Sequence, residues 1–331
     1  MSSKPKPYRP TQEITDPDIR RFVIALCGKD KRGLRRSEDI YVKLAKTMKK
    51  EYLPFLSKFI ESAPIVPKNV FYDGYVHMDV TIEAAHSGAE LVRKGTTLTA
   101  FDATTFAHEI GHAVDGYFGW NNTFSHEVLL HDSRTLCETL VEELDQSGEA
   151  IYQRIISEYK EAIASALGQE AVDILWEHKG LYGELRSIPV NLEDRYTTAE
   201  RQSIQDQLYE CGFVETLYQV YQGGYFAEIN RKYSPILDAL SSRHDFSGQL
   251  LSHHKYDYYQ EDPENVGMEF FANLFAMKVQ DDGTIESMLK VYLPASLAAF
   301  EELFSLIMDH ILGDKPFDDV RLRARIDKEG E

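Results

Sequence analysis

The sequence predicts an α+β fold that is mostly helical and carries a small sheet in its first third. Apolar residues recur at helical spacing through most of the 331 residues, which indicates a core built mainly from amphipathic helices. Residues 76–82 (VHMDVTI) instead alternate between apolar and polar, which is the pattern of a strand with one buried face. The segment GTTLTA, residues 95–100, is a second short strand candidate.

Shifts in periodicity divide the chain into four predicted segments. An N-terminal arm with helices precedes the sheet and its adjoining helix. A long helical stretch, predicted to be an insertion or subdomain, and a C-terminal helical part follow. The segments span residues 1–65, 66–132, 133–235 and 236–331. Breaks in the helical pattern are expected at Pro189, Gly223-Gly224 and Ser234-Pro235.

Capping residues predict where several helices begin. Asp16 followed by Pro17 is a favourable N-cap and first-turn pair. Asp102 offers an N-cap for the helix that follows the two strand candidates. Two further apolar helices are expected at about residues 264–278 and 294–312.

The composition is that of a globular protein with an acidic surface. Acidic residues outnumber basic ones by 54 to 36, which gives a formal net charge of −18, and 43% of residues are hydrophobic. This surplus argues against a nucleic-acid partner, because phosphate binding requires clustered Lys and Arg. No apolar run approaches the ~18 residues of a membrane helix, and the N-terminus lacks the apolar stretch of a signal peptide. We therefore expect a protein made in the cytoplasm without membrane contact, which is compatible with delivery by a phage or a specialised secretion route.

The three cysteines, Cys27, Cys137 and Cys211, are odd in number and far apart in the sequence. There is no C-x-x-C pair, so the sequence indicates neither a disulfide framework nor a cysteine-ligated zinc site. Free thiols are expected, as in a reducing compartment.

The string HEIGH, residues 108–112, is the strongest chemical motif. On a helix, His108 and His112 lie one turn apart on the same face, where two imidazoles can bind one zinc ion. Glu109 lies beside them, where it can act as general base on a water that the zinc activates. The neighbouring Gly111 is small enough for another element to approach the helix closely. The motif therefore predicts a zinc-dependent hydrolase.

A catalytic zinc needs a third protein ligand, and Glu269 is the best candidate. It interrupts a segment, residues 268–277, that is apolar on nearly every side, and an unpaired carboxylate buried there would be costly unless a metal neutralised it. Placement near the helix start, beside the helix dipole, is the alternative explanation. Glu138 and Glu142 are the alternative ligands, although solvation also explains them because their helix has an ample polar face.

Two other features near the motif have competing explanations. In a second His-Glu string, His126 and His131 are five residues apart, so on a helix they would be separated by about 140° and badly placed to share a metal. We interpret them as surface or loop histidines. Asp115 shares the helix face of the motif histidines and could accept their second ring N–H, or could serve as a structural cap or ion-pair partner.

The strings HEIGHAVD, residues 108–115, and EFFANLF, residues 269–275, together resemble the catalytic domain of the anthrax lethal factor family. A looser similarity, over residues 236–277, is to metallopeptidase-like domains of phage minor-capsid and mobile-element proteins. The resemblances cover about residues 70–118 and 236–280. They imply a zincin-like core of the gluzincin type, endopeptidase activity, and Zn²⁺ held by His108, His112 and Glu269.

The chain departs from the lethal factor pattern in two places. The stretch between its two motifs is longer, which suggests an insertion. In that family a tyrosine shortly before the third ligand stabilises the oxyanion, whereas Tyr256, Tyr258 and Tyr259 here stand ten or more residues before Glu269. Tyr259 is our candidate, His254 is an alternative donor, and aromatic packing is the competing explanation.

Two principal hypotheses of function follow. The first is a zinc endopeptidase that hydrolyses a peptide or protein substrate with Glu109 as general base. The second is a non-catalytic, zinc-braced structural or interaction module of a phage or mobile-element protein. The complete His-Glu-His set favours the enzyme, because a bracing site does not require Glu109. A zinc hydrolase acting on other bonds is a minor third hypothesis, and the oligomeric state is not predicted.

Overall fold

Helices dominate the protein. A computed structural model describes residues 8–29, 34–62, 65–68, 75–83, 90–93, 97–99, 103–118, 123–187, 197–244, 256–261, 263, 265–280 and 283–313. The first half of the chain contains α1 (Pro17–Lys29), α2 (Leu34–Thr47), a 3-10 turn (Lys50–Tyr52), α3 (Leu53–Ser62), α4 (Ala103–Phe118), α5 (Phe124–Glu127) and α6 (Leu136–Leu167). The second half contains α7 (Gln169–Ser187), α8 (Thr198–Glu210), α9 (Phe213–Gln222), α10 (Tyr225–Ser241), α11 (Tyr256–Glu261), α12 (Asn265–Gln280), α13 (Thr284–Tyr292) and α14 (Pro294–Leu312).

Four short antiparallel strands lie between α3 and α4. They are β1 (Ile65–Lys68), β2 (Tyr75–Glu83), β3 (Glu90–Arg93) and β4 (Thr97–Thr99). The longest, β2, is central: it pairs with β1, and its two ends pair with β3 and β4. The two strand candidates of the sequence therefore coincide with β2 and β4. Both β2 and β4 contact α4, so the strands lie against the motif helix.

The predicted α+β class is nevertheless wrong, and the fold is all-α. Helices account for most of the described residues, and they pack on one another, as α1 does on α2 and α3. Three of the four strands have four residues or fewer, too little to form a layer of their own. The described core is helix packed on helix, rather than the sheet-based zincin-like core that the resemblance implied.

The start of α1 is as predicted. The Asp16 carboxylate accepts the backbone N–H groups of Asp18 at 2.9 Å and Ile19 at 3.3 Å, which satisfies donors left free in the first turn. Its other oxygen accepts from Lys50 Nζ at 2.9 Å. The hydrogen bond from Lys50, with those from the backbone, lowers the pKa of Asp16.

One predicted break is confirmed and another is wrong. Gly224 has a left-handed backbone (φ 72°), which ends the preceding turn and allows α10 to begin at Tyr225. The expected break at Ser234-Pro235 does not occur, because α10 runs through Pro235. Ile236 and Leu237, the residues after the proline, are both 0% exposed, and their burial outweighs the lost backbone hydrogen bond. Asp102 and Pro189 lie outside the described residues.

The chain divides into two compact units. Unit 1 comprises Met1–Leu140, Gly267–Glu286 and Pro294–Glu331, and unit 2 comprises Val141–Val266 and Ser287–Leu293. In unit 1, aromatic rings join α3, α12 and α14: Phe275 lies 6.2 Å from Phe55 and 5.9 Å from Phe304 between ring centroids. These edge and tilted contacts fix the position of α12 in the core of unit 1.

No described helix is both long and apolar enough to span a bilayer. The three cysteines are free thiols, as expected from their number and spacing.

Candidate metal centre

Helix α4 presents the two histidines of the HEIGH motif on one side and a buried stripe on the other. Phe106, Ile110 and Val114 are 2% exposed or less, so this stripe packs into unit 1. His108 and His112 lie one turn apart on a single uninterrupted helix. Their rings meet edge to face with centroids 4.6 Å apart, and their Nε2 atoms are 3.0 Å apart. The i, i+4 spacing therefore brings the two imidazoles to one point, as predicted.

Helix α12 brings Glu269 to the same point. The residue is only 6% exposed, and its neighbours Phe270 and Phe271 are almost completely buried. Glu269 Oε2 lies 3.2 Å from His108 Nε2 and 3.3 Å from His112 Nε2. A carboxylate inside an apolar helix is costly to bury unless positive charge faces it. The two imidazoles alone are neutral unless protonated, so the arrangement is suited to a cation.

The three ligand atoms form a triangle that fits zinc. Tetrahedral Zn²⁺ with bonds of about 2.0–2.1 Å to His nitrogen and carboxylate oxygen places its ligand atoms about 3.3 Å apart. The sides of the triangle are 3.0, 3.2 and 3.3 Å. Within the part of the chain that the structure describes, His108, His112 and Glu269 are the one group of three such residues close enough to share an ion. A zinc ion held by these three residues would keep a fourth position for water or substrate, as catalytic zinc requires.

Asn273 orients His108, a contact that the sequence did not predict. Asn273 Oδ1 lies 3.0 Å from His108 Nδ1. An amide oxygen that accepts the Nδ1–H fixes the tautomer in which Nε2 carries the free lone pair. Asn273 follows Glu269 by one turn of α12. The sequence feature that could have predicted this contact is the i, i+4 spacing of Glu269 and Asn273. It allows α12 to supply both a metal ligand and the hydrogen-bond acceptor for His108.

His112 and Asp115 differ from His108 in their surroundings. His112 Nδ1 is buried and has no hydrogen-bond acceptor among the described residues. Asp115, 0% exposed, accepts from Ser125 through the backbone N–H at 2.7 Å and through Oγ at 2.8 Å. These contacts favour the structural alternative for Asp115, in which it holds the start of α5 against the end of α4.

Glu109 lies half-buried on α4 between the two histidines in sequence. No hydrogen bond or ion pair occupies its carboxylate within the residues that the structure describes. A carboxylate that is not engaged by Lys or Arg can accept a proton from water, so Glu109 is chemically available for the predicted role.

The alternative ligands Glu138 and Glu142 have other roles. Glu138 and Thr135 form a capping box at the start of α6: Thr135 N donates to Glu138 Oε2 at 2.8 Å, and Glu138 N to Thr135 Oγ1 at 3.1 Å. Glu142 is exposed and accepts from Gln146 Nε2 at 3.0 Å. Neither belongs to the ligand triangle.

Among the described residues, the second His-Glu string belongs to no group of potential metal ligands. Its helix, α5, ends at Glu127, so His126 and His131 do not share a helix. His126 Nδ1 lies 2.7 Å from Thr123 Oγ1. The exposed His131 makes a short contact with the Glu302 carboxylate through its ring, and donates its backbone N–H to Glu302 at 2.9 Å. Both histidines were predicted to be surface or loop residues. His131 is an exposed loop residue, as predicted, whereas His126 is half-buried.

Tyr259, the candidate oxyanion donor, belongs to unit 2 and lies on α11. Its side chain is 1% exposed, and its ring meets that of Tyr258 with centroids 5.1 Å apart. Aromatic packing explains this environment, and the catalytic role of Tyr259 stays a prediction. His254 lies outside the described residues.

Comparison with known proteins adds no relative: no protein-family model, curated protein or solved structure matches the chain. The two motifs of the sequence, HEIGHAVD and EFFANLF, are short. Residues from both motifs, His108 and His112 from one and Glu269 from the other, meet at the ligand triangle.

Proposed function

We propose that the protein is a zinc-dependent endopeptidase. The observation that carries this proposal is the ligand triangle of His108, His112 and Glu269, combined with the unoccupied carboxylate of Glu109 on the same helix. Two neutral imidazoles and one carboxylate are the ligand set of several catalytic zinc sites in peptidases. A site that serves only to brace a fold has no use for a second carboxylate, Glu109, that does not bind the metal.

The site residues have two kinds of proposed role, metal binding and proton transfer. His108, His112 and Glu269 would hold the metal, and Asn273 keeps His108 in the required tautomer. Zinc in such a site lowers the pKa of water to about 7 and polarises a carbonyl oxygen. Glu109 would accept a proton from the attacking water and donate it to the leaving amine, so one carboxylate would act first as base and then as acid.

The peptide substrate class rests on the resemblance of both motifs to the lethal factor family. An H-E-x-x-H helix with a Glu from a second helix is the arrangement that this resemblance associates with peptide-bond hydrolysis. A substrate for a first assay should therefore be an unfolded polypeptide, which presents many sequences in extended form.

The test is cleavage of a panel of unfolded proteins by zinc-loaded protein, by chelated protein and by chelated protein with zinc restored. We expect cleavage, its loss on chelation and its return with zinc. Glu109→Gln should retain zinc and lose cleavage, whereas the matched control Glu127→Gln, in the second His-Glu string, should retain both.

Two outcomes would contradict the proposal in different ways. Cleavage by Glu109→Gln at the wild-type rate would remove Glu109 from the mechanism. No cleavage of any substrate by a wild-type protein that binds one zinc would favour the zinc-braced interaction module.

A further inference from the structure

We propose that Gly111 is a positioning residue that sets the size of the ligand triangle by fixing the distance between α4 and α12. A Cβ built on Gly111 would lie 2.8 Å from Ala272 Cα and 3.1 Å from both Ala272 O and Phe275 Cβ. Separations below 3.0 Å essentially never occur for a real Cβ atom. The two helices therefore approach each other here as closely as a hydrogen side chain allows. This inference rests on the proposed zinc site.

The contact point lies at equivalent positions of the two helices. On α4, His108 lies three residues before Gly111 and His112 one residue after it. On α12, Glu269 lies three residues before Ala272 and Asn273 one residue after it. All four site residues are thus within one turn of the contact. A change in the separation of α4 and α12 at this point should therefore change the distances between the site residues by a similar amount.

The triangle has two sides that cross between the helices and one that does not. The sides from Glu269 Oε2 to the two histidines, 3.2 and 3.3 Å, depend on the separation of α4 and α12. The 3.0 Å side between the two Nε2 atoms lies within α4. A side chain at Gly111 would push against backbone atoms of Ala272, which cannot rotate away, so α12 itself would have to move. Only the two sides that include Glu269 would lengthen.

A lengthened triangle should discriminate between metal ions. Zinc sites keep bond lengths within about 0.2 Å of their preferred values. Displacement of α12 by a few tenths of an ångström should therefore weaken zinc binding. Cd²⁺ is a larger ion than Zn²⁺ and forms longer bonds to nitrogen and oxygen. Displacement should therefore weaken zinc binding more than cadmium binding. A loss of packing alone would not change the preference between the two ions.

The experiment compares zinc and cadmium affinities of wild type, Gly111→Ala and Gly180→Ala, measured by competition with a chromophoric chelator. Gly180 is the matched control, because it lies inside α7 and, apart from the backbone of its own helix and its chain neighbours, no atom lies within 4 Å of an added Cβ. We expect Gly111→Ala to lose about tenfold or more in zinc affinity and clearly less in cadmium affinity. Gly180→Ala should bind both ions like wild type.

Several outcomes would overturn the inference. Unchanged affinities in a folded Gly111→Ala protein would do so, as would equal losses for the two ions. If the variant unfolds without metal, its midpoint with zinc minus its midpoint with cadmium should be smaller than in wild type, and an unchanged or larger difference would contradict the proposal. A variant that stays unfolded with either ion would show that the contact serves the fold rather than the site. A wild type that binds neither ion would instead refute the proposed zinc site itself.

Discussion

Two regions of the chain contain the same residue types and differ in what they form. Helices α4 and α12 bring two histidines and one glutamate to a triangle with sides of 3.0 to 3.3 Å. Residues 123–142 also contain two histidines and several glutamates, but there one histidine contacts a threonine, the other a glutamate of α14, and Glu138 caps α6. Residue type alone therefore does not bring potential metal ligands together.

The difference comes from spacing and burial. The histidines of α4 are four residues apart on one continuous helix, whereas α5 ends between His126 and His131. Glu269 is 6% exposed among aromatic side chains, whereas Glu138 and Glu142 face solvent. Water satisfies an exposed carboxylate at no cost, so only the buried one requires a cation. Four predictions test this contrast, in order of decreasing effect.

Removal of one motif histidine should have the largest effect on metal binding. His112→Ala leaves two ligands of three, so we expect zinc affinity to fall by about 100-fold or more. His126→Ala, in the second region, should bind zinc like wild type. Competition with a chelator measures both. Equal weakening in the two variants would mean that the second region shares in the site.

Loss of the orienting amide should have an intermediate effect. Asn273→Leu removes the acceptor for His108 Nδ1–H, and loss of such a partner costs about 10- to 100-fold in metal affinity. Asn273→Asp retains an acceptor and should bind close to wild type. Gln280→Leu, at the far end of α12, is the matched control. Zinc affinity of Asn273→Leu equal to that of wild type would contradict the role of the amide.

Zinc should also stabilise the fold by a moderate amount. A ligand that binds only the native state at 100 times its Kd adds about 2.7 kcal/mol to the free energy of unfolding. Thermal unfolding with and without chelator should show this shift in wild type and in His131→Ala. It should be absent in His112→Ala. A midpoint that does not respond to zinc in wild type would argue against an intact native site.

The smallest effect is expected at the surface pair of the second region. The hydrogen bond to Glu302 raises the pKa of His131 above its ordinary value. Because the folded pKa exceeds the unfolded one, the pair stabilises the fold fully below about pH 6.5 and loses its effect as pH rises through the folded pKa. An NMR titration of His131 should move back towards the ordinary value in Glu302→Gln, with zinc binding unchanged. A pKa that does not move would show that the pair is not formed in solution.

Much of the site could be predicted from the sequence because its signals are local or strongly biased. The i, i+4 spacing of His108 and His112 needs only a continuous helix, and Glu269 stood out as a lone carboxylate in an apolar segment. The helix starts at Pro17 and Pro294 also agree with their sequence signals. These features depend on near neighbours in the chain.

The features that were missed depend on packing between distant segments. The alternating periodicity located the short strands correctly. The predicted fold class was nevertheless wrong, because periodicity could not show that helices supply the described core. Pro235 was expected to end a helix, and the burial of its neighbours kept α10 continuous. The role of Asn273 was not predicted, because its partner His108 is 165 residues away in the chain.

Zinc stoichiometry of purified wild type, Glu269→Ala and Glu138→Ala tests the central claim most directly. One zinc per chain is expected in wild type and in Glu138→Ala, because Glu138 only caps α6. Glu269→Ala should lose zinc or hold it far more weakly, since it removes the one buried carboxylate of the triangle. Full zinc content in Glu269→Ala, or its loss in Glu138→Ala, would contradict the account.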